Sequence, residues 1–245
     1  MNRYLRPGVV CAVLCGIAAI TGTAVADTPW DYRPVVINGV FTDARTAHII
    51  AEPDKGHIGY HQARDAAPAL WFRFEGNYGD RVRLRMGVPA LDRYRLLRPA
   101  IAVLGQGLPP IDETIPFAMP EGDFGGVVYH AADLDIERYE DKYTGAVSWR
   151  FETIEHILES TGRVYVVGFI PMPRDPETEA TFEEGKFWMT MGHKVNFRLR
   201  DLAGTYARTA RIRNFFEDAV TNSNLYRNGV MGLIISVITL MIAVS

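Results

Sequence analysis

Apolar and polar residues alternate strictly along two neighbouring segments of this chain. In residues 70–75, leucine and phenylalanine alternate with tryptophan, arginine and glutamate, and in residues 81–86 arginine alternates with valine, leucine and methionine. A period of two places alternate side chains on opposite faces of a β-strand. Both segments are therefore predicted to be strands, with Val82, Leu84 and Met86 in the core and three arginines facing water. The turn residues 76–80 between them predict a hairpin.

Short runs rich in β-branched and aromatic residues recur along the chain, and glycine or proline separates most of them. They occupy residues 35–37, 47–51, 100–104, 126–129, 147–151, 164–169 and 187–191. With the two alternating segments, they predict about nine short strands and an all-β fold, an antiparallel sandwich or barrel. Residues 153–158 fit either a short helix or a continuation of strand 147–151, and the pattern leaves both open.

The first 26 residues have the features of a secretory signal peptide. Two arginines precede an apolar stretch, and Ala24-Val25-Ala26 precedes Asp27 as an A-x-A cleavage site. Both cysteines, Cys11 and Cys15, lie in this segment. The mature chain, beginning at Asp27, is therefore expected to be exported and to contain neither a disulfide nor a cysteine nucleophile.

The last 17 residues, 229–245, are uncharged and have no polar face. As a helix they would extend about 26 Å, which just spans a hydrocarbon core of about 30 Å. A single C-terminal transmembrane helix in the inner membrane is predicted, with the bulk of the chain periplasmic or otherwise extracytoplasmic. The alternative is a buried strand or core helix of the body. Because no Lys or Arg follows this run, the orientation depends on the signal peptide alone.

Small and hydroxylated residues recur in this apolar run at spacings of three, four, three and four, which places them on one helix face. They are Gly229, Gly232, Ser236, Thr239 and Ala243. In lipid, helices associate through close backbone approach and hydroxyl hydrogen bonds. This face is therefore predicted to pack against other membrane protein subunits.

Residues 201–228 precede the predicted membrane helix and are rich in arginine. Leu202, Ile212, Phe215, Phe216 and Val220 recur at loosely helical spacing, so a juxtamembrane helix is predicted. It either lies against anionic head groups or packs on the sandwich. The predicted organisation is a signal peptide at 1–26, an extracytoplasmic sandwich at 27–200, this helix at 201–228 and the membrane helix at 229–245.

An acidic stretch at residues 112–141 holds nine carboxylates and a single arginine. Oxygen-rich loops of this kind bind Ca²⁺, although the EF-hand spacing is absent and charge runs are commonly just solvated. The candidate calcium ligands are Asp133, Asp135, Glu137, Glu140 and Asp141.

Other chemical signals are weak. His57 and His61 have the spacing of metal ligands on a helix, but Pro53 and Gly59 favour a strand, where the two rings would be about 13 Å apart. The four tryptophans fit core positions better than a sugar-stacking platform. The chain has no G-x-S-x-G, phosphate-loop or H-E-x-x-H motif. No catalytic or cofactor-binding residue is predicted.

Residues 70–197 combine an aromatic strand and turn (WFRFEGNYGD), an alternating strand (RVRLRMGVP), a further strand (RPAIAVLGQGLP) and a closing hairpin (TGRVYVVGFIP and EGKFWMTMGHKVNF). This series resembles the β-sandwich family typified by bacterial pre-peptidase C-terminal domains. The resemblance implies a jelly-roll-like sandwich with an accessory or adhesive role, and no catalytic residues. The acidic stretch 112–141 departs from the family pattern as a long insertion.

Composition narrows the function further. Hydrophobic residues at 48% and charged residues at 22% are near globular averages, which excludes disordered, collagen-like and polytopic membrane proteins. A net charge of −3 gives no basic excess for nucleic acid. The sequence favours a non-catalytic exported module that serves as an accessory subunit of a membrane protein complex. The alternatives are a calcium- or glycan-binding surface module and an enzyme with an unrecognised constellation.

Overall fold

The computed structural model describes residues 41–141, 144–172, 184–194 and 209–217 in full, and the backbone of residues 35–37 and 205–208. The strands are β1 (Val35–Ile37), β2 (His48–Ile49), β3 (His57–Ala63), β4 (Ala69–Gly76), β5 (Arg81–Pro89), β6 (Ala100–Gln106), β7 (Phe124–His130), β8 (Ile136–Glu140), β9 (Val147–Phe151), β10 (Ile154–Ile157), β11 (Gly162–Phe169) and β12 (Gly185–Met191). The helices are α1 (Thr205–Phe216) and two 3-10 turns, η1 (Asp92–Tyr94) and η2 (Ala131–Asp133).

These strands form two sheets, so the predicted all-β, sandwich-like fold is confirmed. The seven-stranded sheet has the order β1-β3-β12-β5-β9-β8, with β10 also paired to β5. The five-stranded sheet has the order β2-β4-β11-β6-β7. Pairing is antiparallel except at β1 with β3 and at β2 with β4, which are parallel.

The main core lies between the sheets and follows the alternation of the sequence. The core positions predicted on β5 are confirmed, with exposed fractions of 4, 1 and 0% for Val82, Leu84 and Met86. On the opposite face of β5, Arg81 and Arg83 are exposed and Arg85 is half-buried. Strand β4 contributes Leu70, Phe72 and Phe74 to the same core from the facing sheet.

The hairpin predicted for β4 and β5 is wrong. Strand β4 pairs with β2 and β11, whereas β5 pairs with β9, β10 and β12 in the other sheet. Residues 76–80 therefore cross between sheets, and Gly79 N–H donates to the Leu158 carbonyl at 2.8 Å. The crossing lets the apolar faces of both strands meet in one core, an outcome that alternation and turn residues alone do not distinguish from a hairpin.

The closing hairpin expected from the family resemblance is also wrong. Strand β11 lies between β4 and β6 in the five-stranded sheet, and β12 lies between β3 and β5 in the seven-stranded sheet. Strands β11 and β12 therefore belong to opposite sheets and do not pair with each other.

Three strands lie outside the runs predicted from the sequence. Strand β3 has Ile58 as its single β-branched residue and also contains His57, Gly59 and Gln62. Strand β8 lies within the acidic stretch. Strand β10 answers the question left open for residues 153–158, because Ile154–Ile157 is extended and follows β9 along the same side of β5. The strand alternative is therefore confirmed.

Both sheets are also covered on their outer faces. Residues 111–124, here called the strap, place half-buried Ile115 and Phe117 over Trp71 on the five-stranded sheet. Helix α1 places Ile212 and Phe216 on the seven-stranded sheet, against Trp188. Trp71 and Trp188 are consequently buried although each lies on an outer face.

Within the described residues, no helix has the length and apolar character needed to cross a bilayer. The predicted signal peptide, Trp30 and the predicted membrane helix with its packing face, Gly229, Gly232, Ser236, Thr239 and Ala243, lie outside the described residues.

Candidate functional site

Helix α1 packs on the sandwich through its last turns, which carry two phenylalanines. Ile212 and Phe216 are 6% and 4% exposed. The ring of Tyr60 on β3 lies 5.1 Å from that of Phe215 and 5.9 Å from that of Phe216. Of the two placements considered for the arginine-rich segment, packing on the sandwich is the one observed for its described part.

Two basic side chains of the sandwich hold the end of this helix. Glu217 follows α1 with a φ of 49°, and its carboxylate accepts hydrogen bonds from Lys186 on β12 and from Arg93 in η1. Lys186 also donates to the carbonyl oxygen of Phe215 at 3.3 Å. The hydrogen bonds from Lys186 and Arg93 lower the pKa of Glu217. Cations at a helix C-terminus also interact favourably with its carbonyl groups.

Residues 91–98, LDRYRLLR, connect β5 to β6 beside this junction and are called the basic loop. Leu91, Tyr94 and Leu97 point inward and belong to the main core. Leu96 is 65% exposed, the adjacent Arg95 is exposed, and Arg98 is half-buried. The loop is thus pinned by its apolar side and presents one leucine between arginines to solvent.

Arg98 stabilises the shape of the basic loop. Its guanidinium donates to the carbonyl oxygens of Arg95 at 2.9 Å and Leu97 at 3.1 Å. It also lies 5.6 Å from the centre of the Phe151 ring, within the range of a cation–π interaction.

A cleft with a volume of about 390 Å³ lies near the start of β5, at the opposite end of the sandwich. Its lining includes Asp80, Arg81 and two ion pairs, Lys55 with Glu52 and Lys194 with Asp54. The hydrogen bond from Lys194 lowers the pKa of Asp54. Because its positive and negative groups balance and four of them are already paired, the cleft has no evident preference for a cation or an anion.

The structure does not bring the five carboxylates predicted to bind calcium together as a group. Across the described residues, which include all five, no group of three or more His, Cys, Asp or Glu side chains is placed to hold an ion. Glu137 on β8 forms an ion pair with Arg150, and Asp141 accepts hydrogen bonds from Thr144. Asp133 lies in η2, and Asp135 and Glu140 lie before and at the end of β8. Extended strand geometry, absent from the sequence prediction, separates these side chains.

The histidines are engaged in structural contacts. His57 Nδ1 lies 2.7 Å from the Lys55 carbonyl oxygen, and His61 Nε2 lies 2.9 Å from that of Ala67. Both are on strand β3, as expected from Pro53 and Gly59. Burial lowers the pKa of each ring.

His156 is a buried histidine on β10. It is 4% exposed, and its Nδ1 lies 2.9 Å from the hydroxyl of Tyr129 on the facing sheet. Its Nε2 is buried without a hydrogen-bond partner among the described residues. Burial lowers the pKa of His156, and the nearby Glu159 carboxylate opposes that effect.

Sequence reasoning missed the junction formed by Lys186, Arg93 and Glu217. Arg93 and Glu217 are 124 positions apart in the sequence, and none of the three residues belongs to a recognisable motif. The available signal was the helical spacing that predicted the contact face of α1, which did not identify its partners.

No family model matches the chain, and no curated protein matches it. Among solved structures, PliG of Aeromonas hydrophila, a periplasmic lysozyme inhibitor of g-type lysozyme, has 10% identity and a TM-score of 0.29, over 66% of this chain and 96% of that one. CorA of Methylomicrobium album BG8, a surface-associated copper-binding protein, has 9% identity and a TM-score of 0.30, over 60% of this chain and 97% of that one. Likenesses with such TM-scores support no statement about the function of this chain.

Proposed function

We propose that this chain is an exported, non-catalytic β-sandwich module that is held at the inner membrane by residues 229–245 and acts as an accessory subunit of a membrane protein complex. The sandwich then lies on the extracytoplasmic side, and the small-residue face of the membrane helix packs against a partner subunit.

The observation that carries this proposal is the fixed junction between the sandwich and the end of α1. Ile212 and Phe216 bury apolar surface against the seven-stranded sheet, and Glu217 is bonded to Lys186 and Arg93. Only 11 residues, 218–228, separate this junction from the apolar run. Because the last described residue of the sandwich is so close in sequence to the proposed membrane helix, the sandwich is held near the bilayer. A subunit that docks on neighbouring membrane proteins needs this position.

Native mass spectrometry of a mild-detergent extract tests the proposal directly. The expected result is that the chain, lacking its first 26 residues, co-migrates with at least one other membrane protein. A chain that stays monomeric in every mild detergent, or that is recovered without detergent, contradicts the accessory-subunit proposal.

Variants of the apolar run test where the partner binds. Gly232→Ile with Ser236→Ile places bulk on the small-residue face and is expected to dissociate the complex, because close helix approach is lost. Ile235→Leu lies on a different face and serves as the matched control, with no expected effect. If the double variant still co-purifies with its partner, the membrane helix is only an anchor and the sandwich makes the contact.

A further inference from the structure

The basic loop lies at the same end of the sandwich as the terminus of α1. Arg93 of this loop bonds to Glu217, and Lys186 joins the same carboxylate from the start of β12. The last described residue, Glu217, is at this end, 12 positions before Gly229. Whatever its conformation, a segment of that length spans at most about 40 Å. The end of the sandwich that carries the basic loop is therefore the end tethered nearest to the apolar run.

The opposite end is marked by Tyr78, which is 75% exposed in the crossing between β4 and β5. Strand β5 separates the two ends, and its nine residues extend about 30 Å. Tyr78 and Leu96 are thus two exposed apolar side chains at opposite ends of one strand. Only Leu96 lies beside the tether.

The exposed side of the basic loop has the chemistry of a membrane-contacting surface. The loop contains three arginines and one acid, Asp92, and Glu217 already pairs with Arg93. Arg95 is exposed beside Leu96. Arg98 is half-buried and donates to loop carbonyl oxygens, and it adds positive charge on the other side of Leu96. An apolar side chain flanked by cations inserts its apolar part below the head groups while the cations bind anionic lipid.

We infer that the tip of the basic loop, Leu96 with Arg95 and Arg98, docks on the anionic lipid surface of the membrane that holds the chain. This inference rests on the proposed anchoring by residues 229–245. It adds a second contact with the bilayer, which fixes the orientation of the sandwich so that its Tyr78 end points away from the membrane.

Spin labels on the full chain test this orientation. The chain that begins at Asp27 contains no cysteine, so a nitroxide is attached through Leu96→Cys or, as the matched control, through Tyr78→Cys. Both positions are exposed, so neither label disturbs the core. The chain is reconstituted in vesicles of phosphatidylcholine with phosphatidylglycerol, and collisions with a neutral, water-soluble nickel chelate are measured. The expected result is a collision rate several-fold lower at position 96 than at position 78.

Lipid charge and loop charge provide the second comparison. Protection of position 96 is expected to decrease in vesicles of phosphatidylcholine alone, and also when Arg95→Gln is added in anionic vesicles. Arg95 is the variant of choice because Arg98 shapes the loop through its backbone hydrogen bonds. If the collision rate at position 96 stays equally low in neutral vesicles and in the Arg95→Gln variant, anionic lipid does not bind the loop and the inference is overturned.

The remaining outcomes separate this inference from the proposed function. If the chain co-floats with vesicles but positions 96 and 78 collide equally, the loop does not dock, while the anchoring stands. If position 96 is protected only when another protein co-purifies, the loop binds a subunit and the lipid inference is overturned. If the chain fails to co-float, both the anchoring and the docking are wrong.

Discussion

The Glu217 carboxylate accepts a hydrogen bond from Lys186 across the junction between helix α1 and the seven-stranded sheet. The same ammonium group donates to the Phe215 carbonyl oxygen. One side chain of β12 therefore bonds both to a carbonyl group in the last turn of α1 and to Glu217, the residue that follows the helix. Because β12 lies between β3 and β5, the helix is joined to a central strand of its sheet. The junction therefore couples helix α1 to the seven-stranded sheet.

Truncation of the buried aromatic side chain at this junction is expected to release the helix. Phe216→Ala removes a ring that is 4% exposed, a change that typically costs about 3–5 kcal/mol in a packed site. The helix should detach before the sandwich unfolds, because the main core does not include it. Hydrogen exchange of residues 205–217 measures this, and amides there should lose protection while β5 keeps it.

Asn214→Ala is the matched control, since Asn214 is exposed on the same helix. It should change the free energy of helix opening by no more than about 0.5 kcal/mol. Equal loss of protection in the two variants would show that the contact through Phe216 does not hold the helix.

Neighbouring residues of β5 test the two faces of the sandwich. Leu84→Ala empties a fully buried position and is expected to lower the free energy of unfolding by about 2–5 kcal/mol. Arg83→Ala removes only a half-exposed ion pair with Glu155, worth up to about 1 kcal/mol. Urea unfolding followed by tryptophan fluorescence distinguishes the two, and similar midpoints would mean that the observed register is wrong.

Two glycines with the same backbone conformation test how closely the backbone at Gly192 approaches that at Lys55, beside the cleft. Gly192 and Gly79 have φ values of 80° and 83°, so alanine is strained by about 1–2 kcal/mol at either. A Cβ at Gly192 would lie 2.1 Å from the Lys55 carbonyl oxygen, whereas at Gly79 nothing lies within 4 Å. Gly192→Ala should therefore lose more than about 3 kcal/mol of stability and Gly79→Ala only the shared strain. Thermal unfolding that ranks them equally would contradict the contact between residues 55 and 192.

The sequence was informative where a pattern depends on local geometry. Alternation identified β4 and β5 and their core positions, because the period of two follows from the backbone of a single strand. Which strand each one pairs with depends on distant residues, so the crossing at residues 76–80 was mistaken for a hairpin. The same limit applies to β11 and β12.

Tertiary pairing also explains why the sequence did not show where the charged and polar residues lie. The acidic stretch suggested a calcium loop because charge density is visible in the sequence, but Glu137 and Arg150 are paired across β8 and β9. Strand β3 was missed because His57, Gly59 and Gln62 lack β propensity. His57 and Gly59 are held in the sheet between β1 and β12, and Gln62 is paired with β12. The basic loop was not identified because its position beside Glu217 depends on tertiary packing.

The buried His156, bonded to the half-buried Tyr129, predicts how stability responds to acid. Burial lowers the pKa of His156 in the folded chain, below the value of about 6.5 expected when unfolded. Between the folded and unfolded pKa values the unfolded chain binds more protons, so the free energy of unfolding rises with pH in that interval. The contribution of His156 to the free energy of unfolding should therefore be at its maximum above about pH 6.5 and should decrease as the pH falls below that value. Below the pKa of His156 in the folded chain, the free energy of unfolding no longer changes through this residue. His48, His57 and His61 have pKa values shifted in the same direction and add to the slope.

His156→Gln isolates the contribution of this one ring. Glutamine retains an acceptor for the Tyr129 hydroxyl but does not titrate, so the loss of stability between about pH 6.5 and pH 5 should become smaller. Tyr129→Phe is the control: it removes the 2.9 Å hydrogen bond and should cost about 0.5–1.5 kcal/mol at every pH, while the slope remains because His156 is still buried. Urea unfolding at intervals across this range gives both quantities. An unchanged slope in His156→Gln, with the slope persisting in the parent chain, would show that His156 is not the proton-binding group and that other histidines account for the acid sensitivity.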